Sequence, residues 1–298
     1  MRYPLILARF FGEPLALLPE KIAILRSFLL ARDRGEEASE EEVRAAVQQR
    51  RPSAVQMVGR CAVIPVMGVL AQRVSLLEEA SGGVGCDQLG AALDDAVNDP
   101  SCKTVCMVFD SPGGSVFGIS ELAAKMRASR DRKKIVGVAD SMAASAAYWL
   151  LAQCTEAYCS PGGQVGSVGV YSAHEDWSKA DEEAGVRTTL VSAGKYKTEG
   201  NPYGPLDEEA RAEMQAKVNA YYSAFVADIA KGRGVTTARV EADYGQGRMS
   251  LAGQAKAAGM VDGVATVEQV LKRLGAYDGP KGAAAQAIAR AVEIEQRG

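Results

Sequence analysis

Apolar positions in this chain fall into short continuous runs rather than a strict alternation. "CAVIPVMGVL" (Cys61 to Leu70), "KTVCMVFD" (Lys103 to Asp110) and "KKIVGVAD" (Lys133 to Asp140) are almost wholly apolar. Runs of this length read as strands covered on both faces, as in a parallel sheet. Helical patterns lie between them. "GCDQLGAALDDAVNDP" (Gly85 to Pro100) predicts a helix closed by Asn-Asp-Pro, because proline cannot continue one. "GISELAAKMRAS" (Gly118 to Ser129) predicts a second, and "ADSMAASAAYW" (Ala139 to Trp149) a third, with Asp140 or Ser141 as its cap. "TEAYCSP" and "GSVGVYS" read as short strands, "HEDWSKADEEAG" as a helix and "RTTLVSAGKYK" as a strand. Strands alternating with helices imply an α/β fold of repeated βαβ units around a largely parallel sheet.

After Pro205 the pattern lengthens. Met214, Val218, Tyr221, Phe225 and Ile229 recur at helical spacing behind an acidic first turn, and Gly234 follows. This predicts one long amphipathic helix ended by glycine, its stripe packed on the core. The flanks differ in character. Residues 1 to about 35 form an apolar arm, expected to pack on the protein's own body or on a neighbouring subunit. Arg9, Glu13, Pro14, Glu20 and Lys21 interrupt it, so no run reaches the roughly 20 apolar residues of a membrane span. It also lacks the pattern of a secretory signal. Arg32 to Pro52 is almost all charged or polar and reads as a solvated helix or linker. The chain divides on this basis into an arm and linker (1–55), a central α/β domain (56–275) and an alanine-rich tail (276–298).

Composition narrows the chemistry. A net charge of -3 and a pI near 5.5 give no electrostatic reason to expect a nucleic-acid partner. Six cysteines without a CxxC spacing read as buried free thiols in a reducing, cytoplasmic setting. One histidine, His174, excludes a histidine metal cluster. No GxGxxG follows a strand, and there is no GxxxxGK[ST] and no G-x-S-x-G. Neither metal nor cofactor is expected.

What remains is serine and lysine. Ser145 lies among Ala143, Ala144, Ala146 and Ala147, which leave room for a carbonyl to approach. Near a helix start, backbone N–H groups would also favour negative charge. Gly113 and Gly114 in "FDSPGGSV" lie between a strand and a helix, where the backbone can turn an N–H toward a ligand. With one histidine available, a lysine becomes the attractive general base. A free lysine titrates at about 10.4, so burial must lower it by about 2–3 units. Lys195 and Lys197 share a face if their strand continues, and pattern alone does not choose between them. Taken singly, each feature also has an ordinary reading: a packing serine, a strand-to-helix turn, two solvated lysines.

Together the motifs carry more. "FDSPGG", "ADSMAASAAYW", "GSVGVYS" and "SAGKYKTEGNPYGPLDEEAR", in this order and spacing, resemble the SppA-type signal peptide peptidases and their phage relatives. The likeness covers roughly Arg60 to Asp262 and includes "GRMSLAGQAKAAGMVDG". It implies a serine peptidase with a serine–lysine dyad on the fold of the caseinolytic protease and crotonases. By this resemblance Ser145 is the nucleophile, Lys197 the base and Ser167 the residue that orients the lysine. The N–H groups of Gly114 and Ala146 would form the oxyanion hole. Ala146-Ala147 stands where the family usually has Gly-Gly. No membrane anchor is seen, and the opening arm is closer to the phage minor capsid protein C branch, the head-maturation proteases. The resemblance therefore implies capsid or scaffold proteins as substrates, a homo-oligomer, no nucleic acid and a site of action in the host cytoplasm or prohead. Three rivals stand beside it: a cellular-type signal peptide peptidase without its anchor, a non-catalytic capsid- or scaffold-binding protein, and an acyl-CoA enzyme of the crotonase type. Within the peptidase reading, His174 is the rival base.

Overall fold

The computed structural model describes residues 14–19, 55–74 and 82–276. Its strands, in chain order, are β1 (Leu15–Leu17), β2 (Gln56–Val58), β3 (Cys61–Met67), β4 (Val69–Ala71), β5 (Gly83–Gly85), β6 (Thr104–Ser111), β7 (Gly113–Ser115), β8 (Lys134–Ala144), β9 (Glu156–Cys159), β10 (Gln164–Gly166), β11 (Met249–Leu251) and β12 (Gly263–Val264). The helices are α1 (Cys86–Asn98), α2 (Ile119–Ser129), α3 (Ala146–Leu151), α4 (Ser178–Glu183), α5 (Glu208–Arg233), α6 (Thr237–Asp243), α7 (Ala252–Ala258) and α8 (Val267–Arg273). The expected charged linker and alanine-rich tail fall outside the described residues.

One large sheet has the order β11-β10-β8-β6-β3-β2, with β9 beside the first half of β8 and β12 beside β9. Within it β3, β6, β8, β9, β10 and β12 pair in parallel, and only β2 and β11 run antiparallel to their neighbours. The alternation of side chains explains why these strands read as unbroken apolar runs. Ala62, Ile64, Val66, Val105, Met107 and Phe109 face one side, under α1, α2, α3 and α5. Cys61, Val63, Cys106, Val108, Val136 and Val138 face the other, against Val270 and Leu271 of α8. All six cysteines are free and buried, as expected.

A second sheet, β1-β7-β4-β5, lies at the end where β6 and β8 finish. Gly68 produces it. Its φ of 84° breaks the single strand expected over Cys61 to Leu70 into β3 and β4, and a Cβ there would lie 2.0 Å from the Gly82 carbonyl oxygen.

Three local expectations fail. The stretch Ala139 to Trp149 is not one helix: β8 continues to Ala144, and α3 begins only at Ala146. Met142 and Ala143 are paired on both sides, to β6 and to β10, and ladder bonds on two edges outweigh alanine's helix preference. The β6–β8 register shifts between Phe109 and Asp110, leaving Asp140 and Ser141 as a bulge. Neither caps a helix: the Ser141 hydroxyl donates to Asp110, and Asp140 accepts from Ser160 Oγ at 3.1 Å. Second, "RTTLVSAGKYK" forms no strand. Residues 186 to 197 are exposed, with Val191 95 % exposed, and among the described residues no strand takes up their backbone groups. Third, "HEDWSKADEEAG" and "GSVGVYS" both fall short of their expected elements: the helix over His174 to Gly185 contracts to α4, and the strand over Gly166 to Ser172 is replaced by β10, which ends at Gly166, with Tyr171 forming an isolated bridge to Leu15.

The long helix is observed. Asp207 caps α5 by accepting from Ala210 N–H at 2.8 Å, and Gly234 ends it with a φ of 66°. Its stripe packs in its C-terminal half only. Phe225, Val226, Ile229 and Ala230 are buried, whereas Met214 and Val218 stay partly exposed.

Candidate active site

Ser145 sits at the junction between β8 and α3, 1 % exposed, with φ 54° and ψ -117°. Among the described residues, only Ser145, Ser167 and Gln246 combine a side chain with positive φ. Such backbone costs of order 1–3 kcal/mol and persists only where its surroundings impose it. Here they do. Ser145 N–H donates to Gly166 O at 2.7 Å, and its carbonyl accepts from Trp149 N–H at 2.9 Å. The side-chain Oγ donates to Gly169 O at 3.4 Å. Ser167, the other serine with φ 54°, directly follows β10, the strand paired with the end of β8. Its N–H donates to Arg248 O at 2.9 Å, and it is 6 % exposed. Two residues expected to act together thus share the same rare positive φ on adjacent strand ends.

β7 closes the other side. Gly113 has φ 98°, and a Cβ built on it would lie 3.0 Å from Ser145 Cβ, so the strand passes directly over the serine. Gly114 is tighter: its Cβ would lie 1.8 Å from Leu70 O. No side chain fits at either position. Ser111 holds the turn, donating to Gly68 O at 2.6 Å and accepting from Gly113 N–H at 3.2 Å. Ala146 is the first residue of α3, where an N–H has no acceptor within the helix.

The floor under Ser145 was not apparent from the sequence. Trp149 stacks on Phe225 with centroids 4.3 Å apart, and its Nε1–H donates to Asp228 Oδ2 at 3.0 Å. Asp228, buried in α5, also accepts from Ser120 Oγ at 2.9 Å and from Arg127 Nη2 at 2.9 Å. Tyr148 OH donates to Met260 O at 3.0 Å. The one sequence signal was a carboxylate, Asp228, inside the apolar half of a helical stripe.

The base side differs. Lys195 and Lys197 lie on the exposed turns of residues 194 to 200. Lys195 Nζ donates to Glu209 Oε1 at 2.6 Å and to Tyr196 OH at 2.9 Å. The Glu209 hydrogen bond, then that of Tyr196, holds its amine above the usual lysine range, the wrong direction for a base. Among the described residues Lys197 has no such partner. Its backbone N–H donates to Gly194 O at 3.1 Å, and no hydrogen bond joins its amine to Ser145 or Ser167. His174 is turned elsewhere: its Nε2 is 3.0 Å from Asn201 O. The structure therefore brings Ser145, Ser167, Gly114 and Ala146 together and leaves Lys197 at the surface.

A sequence model of peptidase family S49 matches residues 127–278. The chain belongs to peptidase family S49. The matched S49 span contains Ser145, Ser167 and Lys197, while Gly114 lies just ahead of it. Capsid assembly protease C of Escherichia phage lambda is 30% identical over 187 residues, covering 63% of this chain and 43% of that protein. Head-tail preconnector protein GP5 of Enterobacteria phage P21 is 31% identical over 188 residues, 63% of this chain and 38% of that protein. Protease 4 of Salmonella typhi is 28% identical over 197 residues, 66% of this chain and 32% of that protein. The S49 chain thus spans less than half the length of these relatives. Among its described residues no helix is long and apolar enough to cross a membrane.

Proposed function

We propose that this S49 chain is a serine endopeptidase on a fold of the caseinolytic-protease and crotonase type, its catalytic unit within residues 56–275. One observation carries the reading: a buried serine, forced into left-handed backbone at a strand-to-helix junction, with glycine backbone passing over its Cβ. A packing serine has no need of that strain.

In this reading Ser145 Oγ attacks a peptide carbonyl and neutral Lys197 takes its proton. Ser167 holds the lysine, and the Gly114 and Ala146 N–H groups receive the oxyanion. The lysine then protonates the leaving amine, and water releases the acyl group. A lysine can accept a proton only in its neutral form, which loss of water favours, so the dyad is complete only when residues 194 to 200 fold over Ser145. Val186, Leu190, Val191, Tyr196 and Tyr203 are exposed on and around this segment. Assembly with further copies would cover them and supply that closure. The substrates proposed are extended segments of capsid or scaffold proteins, by analogy with the phage lambda relative named capsid assembly protease C.

The test is cleavage of a capsid or scaffold protein by wild type, Ser145→Ala, Lys197→Ala and His174→Ala. The first two substitutions should each lower the rate by about 10³-fold or more, and His174→Ala should leave it within a few-fold. Retention of wild-type rate by both Ser145→Ala and Lys197→Ala would end the dyad reading. Loss confined to His174→Ala would transfer the base role to the histidine.

A further inference from the structure

β1 comes from the N-terminal arm, far in sequence from the residues that build the site, yet it lies inside it. Both of its edges are bonded. On one, Leu15 N–H donates to Tyr171 O at 2.8 Å and Tyr171 N–H to Leu15 O at 3.0 Å. On the other, Leu18 N–H donates to Pro112 O at 3.1 Å and Val116 N–H to Pro14 O at 3.3 Å. The register between these two bonds pairs Ala16 with Gly114. Bonded pairs alternate in an antiparallel ladder, so Ala16 and Gly114 exchange N–H and C=O. The N–H proposed to receive the oxyanion is therefore directed at the Ala16 carbonyl. A Cβ built on Gly113 would lie 2.2 Å from that carbonyl oxygen and 3.0 Å from Ser145 Cβ. Oxygen and nucleophile flank one spot.

We propose that Pro14–Leu18 is a substrate-like strand of the protein's own, seated where an external peptide must lie, with Ala16 in place of the residue whose carbonyl Ser145 attacks. This rests on the peptidase reading above. Two consequences follow from the geometry. The slot between β7 and Tyr171 holds one strand, so the arm must leave before another peptide enters. The slot also describes its ligand: Ala16 is fully buried, while Leu15 and Leu17 project to the opposite side of the strand and are buried as well. An extended segment with a small residue at the cleaved position, flanked by leucine-like side chains, is the class that fits. The seated strand is held rather than cut, because Ser145 Oγ is bonded to Gly169 O and Lys197 is exposed.

The test compares the full chain with its Ala16→Glu variant, whose larger charged side chain has no room in the slot. Two readouts are independent. Amide hydrogen exchange at Val116 and Tyr171 reports the strand, since they donate to Pro14 O and Leu15 O. Labelling of Ser145 by a small fluorophosphonate reports access to the serine. Both should be at least ten-fold faster in the variant. Exchange released without faster labelling overturns the plug, provided wild type labels at all. Exchange released with no labelling in either protein leaves the strand in its seat and removes the serine chemistry. Should the substitution unfold the protein, wild type is instead titrated with free Glu-Pro-Leu-Ala-Leu-Leu-Pro. Exchange at Leu15 should then rise at least ten-fold while Val116 and Tyr171 stay protected. Unchanged exchange at Leu15 under excess peptide overturns the proposal.

Discussion

The two halves of the proposed dyad lie on very different ground. Ser145 is fixed from below by α3 and from the sides by β7 and β10. Its backbone strain is sustained by buried Trp149, Phe225 and Asp228. Lys197 lies on an exposed stretch of turns held by contacts at the surface, among them the Lys195–Glu209 pair, Tyr196 OH to Glu209 Oε1 at 3.0 Å and Trp177 N–H to Pro202 O at 2.7 Å. A nucleophile must be aimed to within fractions of an ångström, which a packed core provides. A lysine base must instead lose its water, and an exposed segment can do that only by closing on something. The comparison assigns rigidity to the serine half and movement to the lysine half.

The largest expected effect tests the rigid half. Trp149→Ala removes a buried indole, its stack on Phe225 and one donor to Asp228. It should cost about 3–5 kcal/mol, read as a lower urea midpoint with little change in slope. Val191→Ala on the exposed segment should change stability by no more than about 0.5 kcal/mol. Equal costs at the two positions would mean that residues 186 to 197 are packed in solution and that the contrast is false.

How far the sequence showed this contrast depends on which interactions decide each element. The parallel sheet was legible because burial on both faces leaves unbroken apolar runs, as in Val105 to Phe109. The long helix was legible from its period and its terminal glycine. The junction at Ser145 was not. Alanine favours helix locally, and only pairing with distant Gln164 to Gly166 and with Asp110 and Ser111 makes Met142 to Ala144 a strand. The exposed run failed for the opposite reason: "RTTLVSAGKYK" has strand-forming residues but no partner edge. The choice between Lys195 and Lys197, open in the sequence, is sharpened by Glu209, an acid two segments away that engages the first lysine. The seat of β1 was out of reach, since an arm expected only to pack somewhere gave no sign of which edge it would join.

A second effect, of intermediate size, concerns alkaline pH. Burial pushes the thiols of Cys86 and Cys154 up to about 12 and those of Cys61 and Cys159 up to about 11. All belong to the rigid half. An unfolded thiol titrates near 8.5. Above that pH the unfolded chain releases protons that the folded chain keeps, so stability falls as pH rises. Each thiol contributes its full share below about 8.5 and loses about 1.4 kcal/mol per pH unit until its folded value is reached. Melting of wild type and Cys86→Ala at pH 8 and pH 10.5 checks this: the variant should lose less stability between the two. Identical losses would mean that Cys86 is solvated and the first turn of α1 loose.

The smallest effect probes the strain itself. Ser145 holds φ 54° with a Cβ, and glycine at that position would relieve the crowding while keeping the backbone path. It would also gain freedom when unfolded, which offsets part of the relief. Ser145→Gly should therefore be more stable than Ser145→Ala, by about 1 kcal/mol, with both inactive. The alanine variant separates loss of the hydroxyl from loss of strain, so only the difference between the two is informative. If glycine is no more stable than alanine, the surroundings of Ser145 do not force the left-handed backbone, and the rigid half owes its form to the serine hydroxyl and its bond to Gly169. If glycine is more stable, the core holds this conformation against its own cost. That is the behaviour expected of a residue positioned for chemistry, and not of one chosen for packing.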